Sequence, residues 1–206
     1  MSIHLFEPYI LAFISIFVAV DAIGNIPLFI SLTEDCTGKQ RREVIRSSVA
    51  TATIVAVLFM FVGKWILSVI GVSIPDFQIA GGALLFVIAM RLLLPADSKG
   101  LGAPAVYRRD FGVFPLGTPL ITGPAVLTTL LMMVDAYGYK ATFTALAANM
   151  LVVAVTLYKS DIFTRLLGIS GLRAISKIVY ILLAAIGVMM VRRGVVTIIQ
   201  NFTAHA

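Results

Sequence analysis

The sequence predicts an all-α integral membrane protein whose six transmembrane helices form two inverted three-helix repeats, with helices one and four broken near the midplane. Of its 206 residues, 60% are hydrophobic and only 13% are charged, and the mean hydropathy is +1.02. Soluble domains are about half apolar and about a quarter charged. A soluble fold could not bury this much apolar surface, so the lipid bilayer is the first expected partner.

Six apolar stretches have the length that a membrane span requires. A spanning helix needs about 20 apolar residues, and the stretches lie at roughly 9–31, 48–70, 77–95, 112–134, 141–158 and 174–199. We expect residues 1–206 to form a single transmembrane domain. Its first repeat covers about 5–96, a cytoplasmic connection about 97–111, and the second repeat about 112–199.

The net charge of +6 reflects orientation in the membrane rather than binding to nucleic acid. If the N-terminus lies outside, the connections after helices one, three and five face the cytoplasm. Basic residues then concentrate on the cytoplasmic side by 12 to 4, as the positive-inside rule requires. We therefore expect both termini to be extracytoplasmic. The 12 basic residues are Lys39, Arg41, Arg42, Arg46, Arg91, Lys99, Arg108, Arg109, Lys159, Arg165, Arg173 and Lys177.

A weak internal repeat supports the inverted arrangement. Shifting the chain by 97 positions places residues 22–27 on 119–124 and residues 70–73 on 167–170. A further slip of two residues aligns 78–85 with 177–184. Chance similarity between apolar helices is the alternative explanation. Three helices per half would insert the second half from the opposite side, a construction common in secondary transporters.

Glycine and proline interrupt the first and fourth predicted helices near their centres. Proline removes a backbone donor and clashes with the carbonyl four residues earlier, whereas glycine frees the backbone from helical geometry. The alternative is that these residues only kink packed helices, but paired interruptions indicate a transporter site. The interrupting and adjoining polar residues are Asp21, Gly24, Asn25 and Pro27 in helix one, and Pro115, Gly117, Thr118, Pro119, Thr122, Gly123 and Pro124 in helix four.

The two breaks together predict a binding site for a small zwitterion. The N-terminus of a half-helix offers free N–H groups and a positive dipole to a carboxylate. Freed carbonyls, with the side chains of Asn25 and Thr122, suit an ammonium group or a cation. An amino acid matches both polarities.

Asp21 is the acidic residue deep inside a predicted span, and such a residue is a functional hypothesis by default. It could carry a coupling proton, or it could cap the second half-helix by accepting from N–H groups at its start. Both roles stay open. Gly81, in the small-residue stretch 80–83 of helix three, is interpreted mainly as a packing position, against one of the broken helices.

The sequence argues against an enzyme and against a bound cofactor. The histidines, His4 and His205, lie near the termini, and no His-Glu-x-x-His motif or Gly-x-Ser-x-Gly motif is present. A nucleotide-binding motif is also missing, so we expect coupling to a proton or sodium ion, or simple exchange, to drive transport. The lone cysteine, Cys36, cannot form an internal disulfide or a thiolate metal cluster.

Three segments resemble the MarC-related family, also called the neutral amino acid transporter (NAAT) family. They are residues 21–29, residues 77–86 and residues 115–124, and the resemblance extends from about residue 5 to about residue 195. It implies a six-helix inner-membrane protein, some members of which move glycine, alanine and other small neutral amino acids. The family usually has proline where this chain has Ala22, which implies a milder first break.

From these observations we expect a secondary transporter of small neutral amino acids that works by alternating access around a midplane site. An exporter or channel for another small solute or ion is the alternative, because broken-helix chemistry also serves ions. The oligomeric state and the direction of transport stay open. The expected substrate-binding residues are Asp21, Gly24, Asn25, Pro27, Gly81, Thr118, Pro119, Thr122, Gly123 and Pro124.

Overall fold

The computed structural model describes residues 3–22, 24–33, 36–94 and 113–205, and these residues form helices joined by short turns. The helices are α1 (Ile3–Val20), α2 (Asn25–Leu32), α3 (Gly38–Ile70), α4 (Ile74–Leu93), α5 (Pro124–Tyr158) and α6 (Ser160–His205). A π-helical segment, Val113–Ile121, precedes α5. The expected cytoplasmic connection at about 97–111 lies outside the described residues.

The first predicted span consists of two helices, α1 and α2. Between them the chain leaves helical geometry at Asp21, whose φ is 46°, a value that residues other than glycine rarely adopt. Helix α2 resumes at Asn25 after the N-cap residue Gly24. The predicted interruption is therefore present, and Ala22 in place of the family's usual proline does not prevent it.

Helices α3 and α4 begin at complete capping boxes. Thr37 accepts from the N–H of Gln40 at the start of α3, and Ser73 accepts from that of Asp76 at the start of α4. In each box, the side chain of the third helical residue, Gln40 or Asp76, in turn accepts from the N–H of the cap residue. Each box satisfies two donors that a helix start leaves open and contributes about 0.5–2 kcal/mol. Gly71, with φ 75°, ends α3 and turns the chain into α4 within three residues.

The fourth predicted span begins as a π-helix. Thr122 donates its N–H to the carbonyl of Gly117, five residues earlier, which is the π-helical pattern. Single π turns are usual and often lie at functional sites, whereas this segment has nine residues. The chain then becomes extended at Gly123, with ψ 177°, before α5 starts at Pro124. The predicted interruption at Gly123 is therefore also present.

Four of the helical stretches within the described residues are long and apolar enough to cross a membrane: Gly38–Ile70, Ile74–Leu93, Pro124–Tyr158 and Lys177–Thr203. The predicted count of six is not confirmed by this criterion. The break at Asp21 leaves α1 and α2 each too short, and α5 contains the second half of the fourth predicted span together with the whole of the fifth. Within α5 the backbone departs from helical geometry at Gly138, with φ 78° and ψ 169°.

Close pairing of helices organises the fold. Helix α1 packs along α5, α3 packs against α5 and the π-helical segment, and α4 packs along α6. Two buried side chains link distant helices: Asn149 of α5 donates to the carbonyl of Phe13 in α1, and Thr122 donates to that of Ala52 in α3. The core therefore lies between α1, α3 and α5, close to both interruptions.

Helices α4 and α6 approach each other at a pair of glycines. A Cβ atom on Gly187 would lie 2.6 Å from the carbonyl oxygen of Gly82, and a Cβ atom on Gly82 would lie 2.6 Å from that of Gly187. Real Cβ atoms do not approach backbone this closely. The two helices can therefore cross at this short distance only with glycine at both positions. Small residues commonly have this role between membrane helices.

We predict that Gly187→Leu strongly destabilises the protein, because the new side chain would overlap the backbone of α4. Overpacking of this kind costs about 1–3 kcal/mol or more. Thermal unfolding of the purified protein in detergent measures the effect. Val188→Leu is the matched control, because Val188 is the next residue of α6 and is 55% exposed. Equal melting temperatures for the two variants would contradict the proposed crossing.

Candidate functional site

A cavity of about 90 Å³ lies where the two interruptions meet. The first interruption contributes residues around Asp21, and the second contributes the first turn of α5. Apolar side chains of α4 and α6 form the remaining wall. The lining residues are Ala19, Val20, Asp21, Gly24, Asn25, Leu28, Leu85, Leu120, Gly123, Pro124, Ala125, Val126, Val179, Leu182, Leu183, Ile186 and Met190.

At the first interruption, two side chains replace one missing backbone hydrogen bond. In a continuous helix the N–H of Gly24 would donate to the carbonyl of Val20, four residues earlier. Here the Gly24 N–H donates instead to Asp21 Oδ1 at 3.1 Å. The Val20 carbonyl accepts from Asn25 Nδ2 at 2.9 Å, and the same amide reaches the Asp21 carbonyl at 3.1 Å. The Gly24 N–H and the Val20 carbonyl, which the break separates, thereby both have partners.

This arrangement supports the capping role that the sequence left open for Asp21. Its carboxylate accepts from the N–H at the start of α2, as an N-terminal cap does. The side chain is exposed on the surface of the chain, whereas Asn25 is 5% exposed. Capping leaves one carboxylate oxygen for another partner, so a role in proton transfer is compatible with it.

At the second interruption, backbone N–H groups at the start of α5 lie at the cavity. The first turn of any α-helix has N–H groups without intrahelical partners. Pro124 has no N–H, and Leu127 donates to the carbonyl of Gly123 at 3.0 Å. The N–H groups of Ala125 and Val126 are therefore the ones left open by helix geometry, and both residues line the cavity. Their position favours an anionic group.

The cavity consequently has two poles of opposite character. The C-terminal end of α1, with the Val20 and Asp21 carbonyls and the Asp21 carboxylate, favours a positively charged group. The N-terminal end of α5 favours a negatively charged one. Between them, the walls from α4 and α6 are apolar. Such a site suits a small solute that carries both charges and a short apolar portion.

The volume restricts the solute further. About 90 Å³ has room for only a few waters, whereas pockets for drug-sized ligands have about 300–1,000 Å³. Glycine at position 81 helps to keep this space small, because α4 contacts the second interruption there. A Cβ atom on Gly81 would lie 1.9 Å from Pro124 Cγ, which agrees with the packing role predicted for Gly81.

The structure brings together five of the ten predicted site residues, namely Asp21, Gly24, Asn25, Gly123 and Pro124. Gly81 lies directly behind Pro124, and Pro27 and Thr118 do not line the cavity. Thr122 is fully buried and donates its hydroxyl at 3.0 Å to the carbonyl of Ala52, so it joins the π-helical segment to α3 instead of lining the cavity. The side chain of Pro119 lies outside the described residues.

Sequence reasoning did not identify the part of the cavity wall that comes from α4 and α6. Leu85 belongs to α4, and the α6 contribution extends from Val179 to Met190. These are ordinary apolar residues with no chemical signal of their own. The internal alignment of residues 78–85 with 177–184 was the available signal, because it places the two wall segments at equivalent positions of the repeat.

No group of three or more His, Cys, Asp or Glu side chains that could hold a metal ion is found in the described parts of the chain. The polar atoms at the cavity come instead from backbone groups and from Asp21 and Asn25. Backbone groups and one carboxylate are sufficient for recognition by hydrogen bonds and helix dipoles.

Comparison with known proteins identifies the family. The family model described as MarC family integral membrane protein matches residues 6–199. The UPF0056 membrane protein MJ0972 of Methanocaldococcus jannaschii is 31% identical over 96% of this chain and 90% of its own length. The UPF0056 inner membrane protein YhgN of Escherichia coli (strain K12) is 29% identical over 85% of this chain and 90% of its own. No solved structure matches. With its long apolar helices and this match over most of its length, the chain belongs to the MarC family of integral membrane proteins.

Proposed function

We propose that the chain is a secondary transporter that moves small neutral amino acids, such as glycine and alanine, across the cell inner membrane. The observation that carries the proposal is the small cavity between two helix interruptions of opposite polarity. An α-amino acid has an ammonium group for the α1 end and a carboxylate for the α5 end. The cavity volume of about 90 Å³ favours the smallest side chains. The name of the YhgN relative supports the inner membrane as the location.

The proposed mechanism is alternating access between two inverted repeats. Three helix pairings support it: α1 with α5, α3 with the π-helical segment, and α4 with α6. If residues at about 5–96 and about 112–199 are repeats, exchanging the two halves converts the first pairing into the second. The same exchange leaves the third pairing unchanged. The kink at Gly138 divides α5 close to the boundary between the predicted fourth and fifth spans. Both features favour six spans.

The alternative is an exporter or channel for another small solute or ion, and uptake measurements separate it from the proposal. Full-length protein in proteoliposomes is expected to accumulate labelled glycine and alanine when a proton or sodium gradient is imposed. A bulky amino acid such as tryptophan is expected not to compete. Absence of accumulation under either gradient would contradict amino acid transport.

We predict that Ala19→Leu abolishes uptake, because the larger side chain would fill the cavity that Ala19 lines. The expected loss exceeds about tenfold, since a solute cannot share so small a space with it. Val18→Leu is the matched control: Val18 is adjacent in α1 and 71% exposed. Uptake rates in proteoliposomes containing equal amounts of each variant provide the measurement. Normal uptake by Ala19→Leu would place the site elsewhere.

Two substitutions at Asp21 separate its possible roles. Asp21→Asn keeps an oxygen that can accept from the Gly24 N–H but cannot carry a proton, so we expect normal stability and uptake that no longer depends on a pH gradient. Asp21→Ala removes the acceptor as well and should destabilise the protein by about 0.5–2 kcal/mol. Proton-driven uptake that persists in Asp21→Asn would leave capping as the role of this residue.

The expected orientation is testable with the native cysteine. Cys36 is half-buried, just before α3, on the side that the positive-inside rule places in the cytoplasm. A membrane-impermeant maleimide is expected to label it in inside-out vesicles but not in intact spheroplasts. A control in which Cys36→Ser is combined with Tyr139→Cys should show the reverse pattern, because Tyr139 is exposed beside the kink of α5. Labelling of Cys36 from outside would invert the proposed topology.

A further inference from the structure

A second, larger cavity of about 520 Å³ lies at one end of the helix bundle, between the start of α3 and the junction of α5 with α6. It shares no lining residue with the cavity between the interruptions. Arg41 and Arg42 of α3 and Ser160, the first residue of α6, all line it. Ile45 and Leu157, both buried, contribute apolar surface. The proposed transport mechanism makes no use of this cavity.

The α3 side of the cavity is suited to an anion. Gly38, the first residue of α3, lines it together with the two arginines. The hydroxyl of Thr37 caps the N–H of Gln40, which leaves the N–H groups of Gly38 and Lys39 open by helix geometry. The positive end of the helix dipole and two guanidinium groups thus act in the same direction.

Arg41 is held in place rather than free to move. Its Nη2 donates to the carbonyl of Thr33 at 3.3 Å, and its guanidinium carbon lies 6.0 Å from the centre of the Phe29 ring. Such contacts restrict the side chain and lower the entropy lost when it binds a ligand. Arg42, on the next position of α3, is exposed and contributes a second charge at the cavity.

Ser160 provides an independent indication of a ligand. The residue is 1% exposed, and its Oγ has no hydrogen-bond partner within the described ranges of the chain. A buried hydroxyl without a partner is costly, and an unseen ligand, ion or water is one explanation of such a group. Because Ser160 and the two arginines line the same cavity, an acceptor bound there would complete the hydrogen bonding of the Ser160 hydroxyl.

The length and charge pattern of α3 indicate that the cavity lies near the lipid headgroups. Helix α3 has 33 residues, so it is about 50 Å long, which exceeds the hydrocarbon thickness of about 30 Å. Its first two to three turns carry Lys39, Arg41, Arg42 and Arg46 and therefore lie outside the hydrocarbon. Basic pockets between helices at this depth bind anionic lipid headgroups.

We propose that this cavity binds the phosphate of an anionic phospholipid, with Arg41, Arg42 and the start of α3 holding the phosphate and Ser160 donating a hydrogen bond to it. The apolar contribution of Ile45 and Leu157 favours a lipid over a free phosphate, because a glycerol ester can cover that surface. The volume also exceeds what a phosphate group alone needs. The bound lipid would join α3 to the α5–α6 junction.

The test measures thermal unfolding of the full-length protein in neutral detergent, with added phosphatidylglycerol, phosphatidylcholine or inorganic phosphate. We expect phosphatidylglycerol alone to raise the melting temperature. Arg42→Gln should weaken the apparent affinity for phosphatidylglycerol by about fivefold. Arg46→Gln, which removes the same charge from an exposed position outside the cavity, should behave as the wild type.

The change in melting temperature of Ser160→Ala distinguishes ligand binding from a purely structural role of this hydroxyl. Without lipid, this variant should be as stable as the wild type or more stable, because it removes a buried hydroxyl that lacks a partner. With phosphatidylglycerol, its gain in melting temperature should be smaller. An equal gain in Arg42→Gln and Arg46→Gln would overturn the proposal, as would stabilisation by inorganic phosphate equal to that by the lipid. Neither result would bear on uptake, so this test is separate from that of the transport function.

Discussion

The exchange of hydrogen bonds at the first interruption is the constraint on which the candidate site depends. Backbone that leaves helical form inside a bilayer has no water to bind, and each unsatisfied group costs several kcal/mol. Asp21 and Asn25 remove that cost by taking the places of the carbonyl and the N–H that the break separates. A Cβ atom at Gly24 would lie 2.2 Å from Asp21 Oδ2, so glycine leaves room for the Asp21 carboxylate to accept from the Gly24 N–H. The break is therefore a stable conformation, and the cavity beside it is preformed.

The second interruption is stabilised differently. The π-helical segment ends in the bond from the Thr122 N–H to the Gly117 carbonyl, and the Thr122 hydroxyl ties this point to α3 through Ala52. Gly81 of α4 packs on Pro124 from the other side. The start of α5 is thus held between two helices. Contacts with neighbouring helices stabilise this interruption, whereas at Asp21 the side chains of the interrupted segment itself replace the lost backbone hydrogen bond.

Much of this arrangement could be predicted from the sequence because glycine and proline act locally. The positions of both interruptions and the membrane class follow from residue types and hydropathy, and the family follows from the resemblance of residues 21–29, 77–86 and 115–124 to its members. The partner of Thr122 could not be predicted, since a hydroxyl accepts and donates to whatever lies nearby and Ala52 is 70 residues away. The apolar wall from α6 was equally hidden, because leucine and valine there resemble lipid-facing residues. The non-helical backbone at Gly138 lies between the fourth and fifth spans that hydropathy predicts, at about 112–134 and 141–158.

The two interruptions present different polar groups to the small cavity, so its two ends favour opposite charges. If both breaks presented the same kind of polar group to the cavity, a molecule bound between them could adopt either of two opposite orientations. Here one pole consists of carbonyls and a carboxylate, and the other consists of amide hydrogens. A dipolar solute therefore has one preferred alignment, with its side chain turned toward the apolar wall. Discrimination between mirror-image solutes is the stereochemical consequence, because three unlike contacts fix the handedness of what fits.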